Sequence, residues 1–331
     1  MKILFPLVAV LTLVVVAFAG TLGGHGQAAF GIVLPYAALA VFVLGMIYRM
    51  VRWARAPVPF HIPTTAGQQR SLPWIRPSRL ENPGTTLGVV GRMALEILCF
   101  RSLFRDSKVE LRDGRVGYGS NKWLWVAGMA FHYSMLVILL RHLRFFLAPI
   151  PGFVHAVESV DGLFQVGVPV LYITDVLFLV AVTYLFLRRV VIPQVTYISL
   201  AADYFPLFLL FGIATTGVLM RFFLKVDILK VKELAVGLAT FHPVVPQGIG
   251  SLFFIHLFLV SALFAYFPFS KLVHLGGVFL SPTRNLANDS RAVRHINPWN
   301  PAVKLHSYEE YENDFREKMK SVGLPVEKES P

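Results

Sequence analysis

Hydrophobic residues along this chain gather into long unbroken runs rather than short amphipathic periods. Residues 3–20 and 28–51 form the first two, joined by the uncharged, glycine-rich TLGGHGQ at 21–27, which reads as a turn. Further runs cover 123–147, 166–187, 204–224 and 250–275. Each is close to or above the roughly 20 apolar residues that a helix needs to cross a bilayer. The pattern predicts an all-α integral membrane protein, a bundle of about six transmembrane helices. The first run ends in Ala17-Phe18-Ala19 before Gly20, similar to a signal-peptidase site. Only one lysine precedes it and a second full span follows at once, which favours a retained first helix over a cleaved leader.

Polar segments divide the chain into four parts: two N-terminal spans at 1–52, a loop at 53–122, a four-span core at 123–275, and a tail at 276–331. The loop holds eleven Lys or Arg against five acids. Its first half is proline-rich and reads as irregular. Its second half contains GRMALEILCFRSLFR at 91–105, whose mixture of apolar and basic positions suits a helix lying at the membrane surface or under a partner, or a short soluble helix. The tail ends in EEYENDFREKMK, a short solvated helix. Placing the loop, 188–203 and the tail on the cytoplasmic side gathers most basic residues there. It leaves 21–27 and 148–165 outside with none, and 225–249, with three lysines, as a mild exception. The expectation is a multi-pass protein of the cytoplasmic membrane, with both termini cytoplasmic.

Composition narrows the function. Only 15% of residues are charged and the mean hydropathy is +0.61, against about 25% charged for a soluble domain. The net charge of +12 belongs to segments flanking the spans, so its partner is the lipid bilayer rather than nucleic acid. One cysteine, Cys99, excludes an internal disulfide, a cysteine-ligated iron–sulfur cluster and the C-x-x-C-H attachment of c-type haem. Any redox centre must be held by histidine.

Two of the runs carry histidine in pairs: His132 and His142 at 123–147, and His256 and His274 at 250–275. Ionisable side chains inside a membrane span are costly and mark function. In the antiparallel topology His132 comes level with His274 at the inner end, and His142 with His256 at the outer end. Each level offers two imidazoles to one iron, so the pattern predicts two b-type haems. One geometric conflict remains. The first pair is separated by a rise of about 15 Å and the second by about 27 Å on ideal helices, and Pro268 offers a kink to shorten the latter. The other six, His25, His61, His155, His242, His295 and His306, fall in expected loops or the tail. Of these, His155 and His242 are outer-side candidates.

The H-x9-H and H-x17-H spacing on two late spans resembles the haem-binding gamma subunits of respiratory nitrate reductases. More of the chain resembles the membrane cytochrome b subunits of complexes linked to dissimilatory sulfite reduction. The stretches that carry this likeness are PVPFHIPTTAGQQRSLPWIRPSRLENPGTT at 57–86, GRMALEILCFRSLFR, FHYSMLVILLRHLRFF and DYFPLFLLFGIATTGVLMRFF. The nitrate reductase relatives have five spans, so the extra N-terminal span departs from them. The resemblance implies exchange of electrons with menaquinone/menaquinol near the outer haem and transfer through the inner one. It implies a cytoplasmic iron–sulfur partner resembling heterodisulfide reductase, further membrane and periplasmic redox subunits, and a protein persulfide or trisulfide as final acceptor. The chain would then be the electron-transfer subunit of a quinone-linked oxidoreductase. Arg141 and Arg144, at the outer end of their span, suit haem propionates or a quinone oxygen, or else snorkel to headgroups. Asp175, mid-span in LYITDVLFL, suits proton relay, a hydrogen bond from a ligand histidine, or equally a structural interaction. Arg144, His155 and Asp175 are therefore the quinone or proton candidates, and Arg221 reads as a snorkelling residue. The rivals are a proton-relaying transporter and a cofactor-free membrane anchor.

Overall fold

The computed structural model describes residues 1–56, 67–112, 114–162, 169–293 and 304–328. His61, His295 and part of the proline-rich stretch at 57–66 lie outside them. Helix α1 spans Leu4–Thr21. A five-residue π-turn, Ala29–Val33, leads into α2, Leu34–Ala54. The bundle continues with α5 (Lys122–Phe146), α7 (Ile173–Val191), α9 (Ala201–Val218, prolonged by a π-turn to Phe223) and α11 (Ser251–Tyr266). Shorter helices are α3 (Thr86–Cys99), α4 (Arg101–Phe104), α6 (Gly152–Asp161), α8 (Pro193–Ile198), α10 (Ile228–Ala239), α12 (His274–Gly277) and α13 (Tyr308–Ser321).

Among the described residues, five helices are long and apolar enough to cross a membrane: Leu4–Thr21, Ala29–Ala54, Lys122–Phe146, Ala201–Phe223 and Ser251–Phe269. The expected fourth span, 166–187, is shifted. Its helix α7 starts only at Ile173, because Leu171 and Tyr172 are non-helical. With 19 residues it is about 28 Å long and packs between α5 and α9, while Asp175, Arg188 and Arg189 mark its two ends. Asp175 is therefore in a first turn, where the helix dipole favours a carboxylate, and not mid-span as the sequence suggested.

Contacts sort the residues into two ends. At one, Lys2 donates to the Tyr197 carbonyl, Tyr204 to that of Arg189, Arg49 to that of Pro268, and Lys271 pairs with Asp203 at 2.6 Å. At the other, Tyr36 donates to the Leu238 carbonyl and Arg221 to that of Val170. Helix α1 is built into the core, since Val10 and Ala17 are buried with Leu209, Ile255 and Leu259. A second cluster joins Phe131 to Phe178, Ala181, Val182 and Leu210.

Three expectations are corrected. The fold is not wholly α: Ser107–Arg112 and Arg115–Ser120 form an antiparallel hairpin. Val109 pairs with Tyr118 and Leu111 with Val116, so four apolar side chains share one face, and all four are exposed. Gly114, at φ +72°, supplies the left-handed backbone that a two-residue turn requires. The expected connections 148–165 and 225–249 contain α6 and α10, which the sequence reading missed. The run 250–275 is not one helix. Helix α11 stops at Tyr266, Phe267–Phe269 tighten into a 3₁₀ turn, and Ser270 is extended. Pro268 has no backbone N–H to continue the ladder, and Ser270 caps a new turn by accepting from Leu272 N at 3.1 Å.

Gly45 of α2 makes room for this break. A Cβ there would stand 2.7 Å from the Pro268 Cβ. Gly45→Ala should overpack the contact at a cost of about 1–3 kcal/mol. The check is a lowered apparent melting temperature of the detergent-solubilised protein.

At the Lys2 end the polar loop meets the first part of the tail. Glu81 is buried between Arg101 (2.8 Å to Nε) and Arg105 (2.5 Å to Nη1). Burial pushes its carboxyl up, but these hydrogen bonds overcome that and hold it below its usual value. The tail joins through Asn288 N to the Pro83 carbonyl at 2.8 Å and Arg284 to Glu96 at 3.4 Å. Helix α13 forms as expected, with a Ser307/Glu310 capping box.

Candidate functional site

His132 and His274, 142 positions apart in sequence, come together at the Lys2 end with ring centres 6.0 Å apart and planes at 82°. Two imidazoles bound end-on to opposite faces of one metal, at about 2.0–2.1 Å per bond, have ring centres about 6 Å apart. The spacing therefore fits two axial ligands. The break after Tyr266 sets His274 on a separate turn. That turn is fixed by the Lys271–Asp203 ion pair and by close contacts at two glycines. A Cβ at Gly276 would lie 2.5 Å from Met50 Sδ, and one at Gly277 2.9 Å from Trp53. Phe100 packs edge-on to His132 at 4.8 Å. Its positive φ of 48° divides α3 from α4 and turns the chain there.

At the opposite end His142 and His256 lie within electrostatic reach of one another. Helix α5 packs on α7 and α10, and α11 packs on α1, α2 and α9. Leu263 of α11 joins the Phe131–Leu210 cluster, an apolar layer whose members Met135 and Ile138 lie along α5 between His132 and His142.

The chemistry of the four rings is uniform in one respect. His132 Nδ1 is 2.8 Å from the Gly128 carbonyl, His142 Nδ1 2.7 Å from that of Ile138, and His274 Nδ1 2.8 Å from that of Lys271. A carbonyl can only accept, so each Nδ1 carries the proton and each Nε2 is left bare. His256 Nδ1 meets instead the hydroxyl of Thr216 on α9, at 2.9 Å. Bare Nε2 atoms with an oriented Nδ1–H are what iron ligation by histidine requires. No cluster of three or more His, Cys, Asp or Glu among the described residues is arranged to hold a metal ion. A haem needs only two such ligands, since its macrocycle supplies the rest. The residues present fit that group.

The remaining candidates fall into two networks at the His142 end. Arg141 is buried, with Nε 2.9 Å from Asp161 and Nη2 2.5 Å from Asp175, and its guanidinium lies 3.8 Å above Tyr172. It does not snorkel, and Asp175 pairs with it while the Ile138 carbonyl takes the proton of His142. Arg221 does not snorkel either. It stacks on Tyr172 at 4.3 Å and donates to the Val170 carbonyl. Arg144 pairs with Glu158 of α6 at 2.8 Å, and exposed His155 stands 3.8 Å from the same carboxylate. Glu158 is the member sequence reasoning did not single out. His242 is exposed and turned to the Thr240 carbonyl, apart from both networks.

The fold is a bundle of membrane-length helices with paired histidines on two segments, and the family follows from the sequence. Residues 84–295 match the nitrate reductase gamma subunit family, and the chain belongs to it. Among individual relatives, the chain is 46% identical over 280 residues to the "Hdr-like menaquinol oxidoreductase cytochrome b-like subunit" of Archaeoglobus fulgidus, covering 82% of this chain and 84% of the relative. It is 41% identical over 279 residues to the subunit of the same description from Archaeoglobus profundus, covering 82% and 83%.

Proposed function

We propose that this chain is the di-haem cytochrome b subunit of a menaquinol-linked oxidoreductase. The observation that carries the reading is the 6.0 Å spacing of His132 and His274 with every paired histidine's Nδ1 already engaged. His132 and His274 would hold one haem iron, and His142 and His256 the other. Bound haems supply one-electron carriers at two depths of the membrane. The basic loop and tail lie on the cytoplasmic side, as basic flanks do, which puts the His132–His274 level inside and His142–His256 outside.

The protein's own part at the outer end is to receive protons. Oxidising one menaquinol releases two electrons and two protons. Glu158 faces both Arg144 and the exposed His155, so a proton taken by the carboxylate or imidazole has a short way to the outer aqueous side. Arg141 anchors the end of α5 to Asp161 and Asp175, which fixes His142 beside it. At the inner end the electrons leave for an iron–sulfur partner resembling heterodisulfide reductase. The unit of α3, the hairpin and the tail is its dock, with further membrane and periplasmic subunits completing a complex of sulfite or sulfate respiration. The names of the relatives and the likeness to sulfite-linked cytochromes support this assignment.

A pyridine haemochrome assay on the purified chain tests the reading directly: two haems per polypeptide are expected, and none would overturn it. Arg144→Ala should keep both haems and slow their reduction by a menaquinol analogue about 10–100-fold, the range typical of losing one positioned group. Stopped-flow spectra of the haem-replete variant decide this, and an unchanged rate removes Arg144 from the quinol site.

A further inference from the structure

Three of the four paired histidines are oriented by a carbonyl of their own helical turn, three or four residues back. His256 alone is oriented from another helix. Its Nδ1 lies 2.9 Å from Thr216 Oγ1, and that hydroxyl lies 2.8 Å from the Gly212 carbonyl and 2.9 Å from that of Ile213. Two carbonyls and one ring nitrogen surround a hydroxyl with a single hydrogen. When that hydrogen goes to either carbonyl, the hydroxyl lone pair accepts from His256 Nδ1–H, the arrangement that ligation through Nε2 selects. The reverse arrangement would protonate Nε2 and close the nitrogen that a metal needs.

The surroundings hold this bond in place. Thr216 is buried, and its β-branched side chain has few rotamers. At the next residue, Gly217, a Cβ would stand 3.5 Å from His256 Cε1, so the ring rests directly against the α9 backbone. A neutral hydroxyl also differs from a peptide carbonyl as an acceptor. The stronger the pull on the distal N–H, the more basic the ligating nitrogen and the more the oxidised metal is favoured.

We propose that Thr216 is the positioning residue of the outer haem site. It sets the tautomer and aim of His256 and thereby the reduction potential at that level alone. This rests on the reading of His256 as a haem ligand.

The test uses full-length protein in detergent or nanodiscs, with redox-titrated visible spectra and low-temperature EPR. Thr216→Val keeps the shape and removes the acceptor. The component lost in His142→Ala and His256→Ala variants should then move to a higher midpoint potential, with an altered low-spin EPR signal. Its haem occupancy should reflect an affinity about 10–100-fold weaker. The component dependent on His132 and His274 should not move. Thr216→Ser, which restores the hydroxyl, should return the wild-type potential and signal, a rescue that mere filling of space would not produce. If the valine variant does not accumulate, Thr216→Ala removes the same acceptor with less bulk.

An unchanged potential and EPR signal in the valine or alanine variant would overturn the proposal, as would equal shifts of both components or failure of serine to rescue. A wild-type protein without haem would instead overturn the haem reading itself, so the two failures are distinguishable.

Discussion

Replacing His132 or His274 with alanine abolishes one and the same haem component, and replacing His142 or His256 abolishes the other. The expected losses are complete at one level and absent at the other, because an iron that has lost one of two protein ligands keeps little hold on the bundle. His132 and His274 already stand at the separation that two axial ligands need, on segments held by different contacts: α5 through α7 and α10, and α12 through Lys271–Asp203 and the Gly276–Gly277 approach to α2. Removing either ring leaves the other segment in place. The double variant His132→Ala/His274→Ala should be no worse than either single one, the non-additivity expected of residues that act as a unit. Redox-titrated spectra of the four single variants and both double variants decide it. Loss of different components within a proposed pair would sink the assignment.

On the proposed function, the second large effect concerns the delivery of electrons at the inner end. A chain truncated after Phe279 keeps all four histidines and should retain both haems, yet lose the iron–sulfur partner and transfer to it. The cut removes the tail segment that packs on α3 through Arg284–Glu96 and Asn288–Pro83. That face stands close to the inner level: Tyr133, next to His132, donates to the Leu98 carbonyl, and Trp125 to that of Cys99. The exposed apolar face of the hairpin, Val109, Leu111, Val116 and Tyr118, follows α4 in the chain and supplies what a basic surface alone lacks, an area worth burying. Anionic lipid could take the charges but would not explain a partner's loss. Val109→Ser/Tyr118→Ser should therefore weaken partner co-purification while leaving haem content and membrane insertion unchanged. Wild-type co-purification of the truncated chain with normal transfer would show the tail to be dispensable and leave the loop and hairpin as the dock.

The spans and the histidine pattern were legible because both are local. A run of apolar residues crosses a bilayer whatever surrounds it, and an imidazole inside such a run stands out without knowledge of its neighbours. The helix break was half legible. Pro268 announced it, but its extent depends on Ser270 starting a new turn and on Gly45 admitting the proline ring. The hairpin was hidden by its composition, since alternate charged residues in SKVELR read as part of a basic loop.

By itself the sequence determined the membrane class, the long helices, the four histidines and the exclusion of cysteine-held centres. These follow from hydropathy, from length and from which side chains exist at all. Only the tertiary structure decided which groups meet. It set His274 on a separate turn beside His132, moved Asp175 to a helix end against Arg141, and put Glu158 between Arg144 and His155. It placed the Thr216 hydroxyl, 40 positions away in the chain, on the ring of His256. A hydrogen bond between distant segments depends on how whole helices pack. Helix packing is a property of every contact in the bundle at once, and no local stretch of residues encodes it.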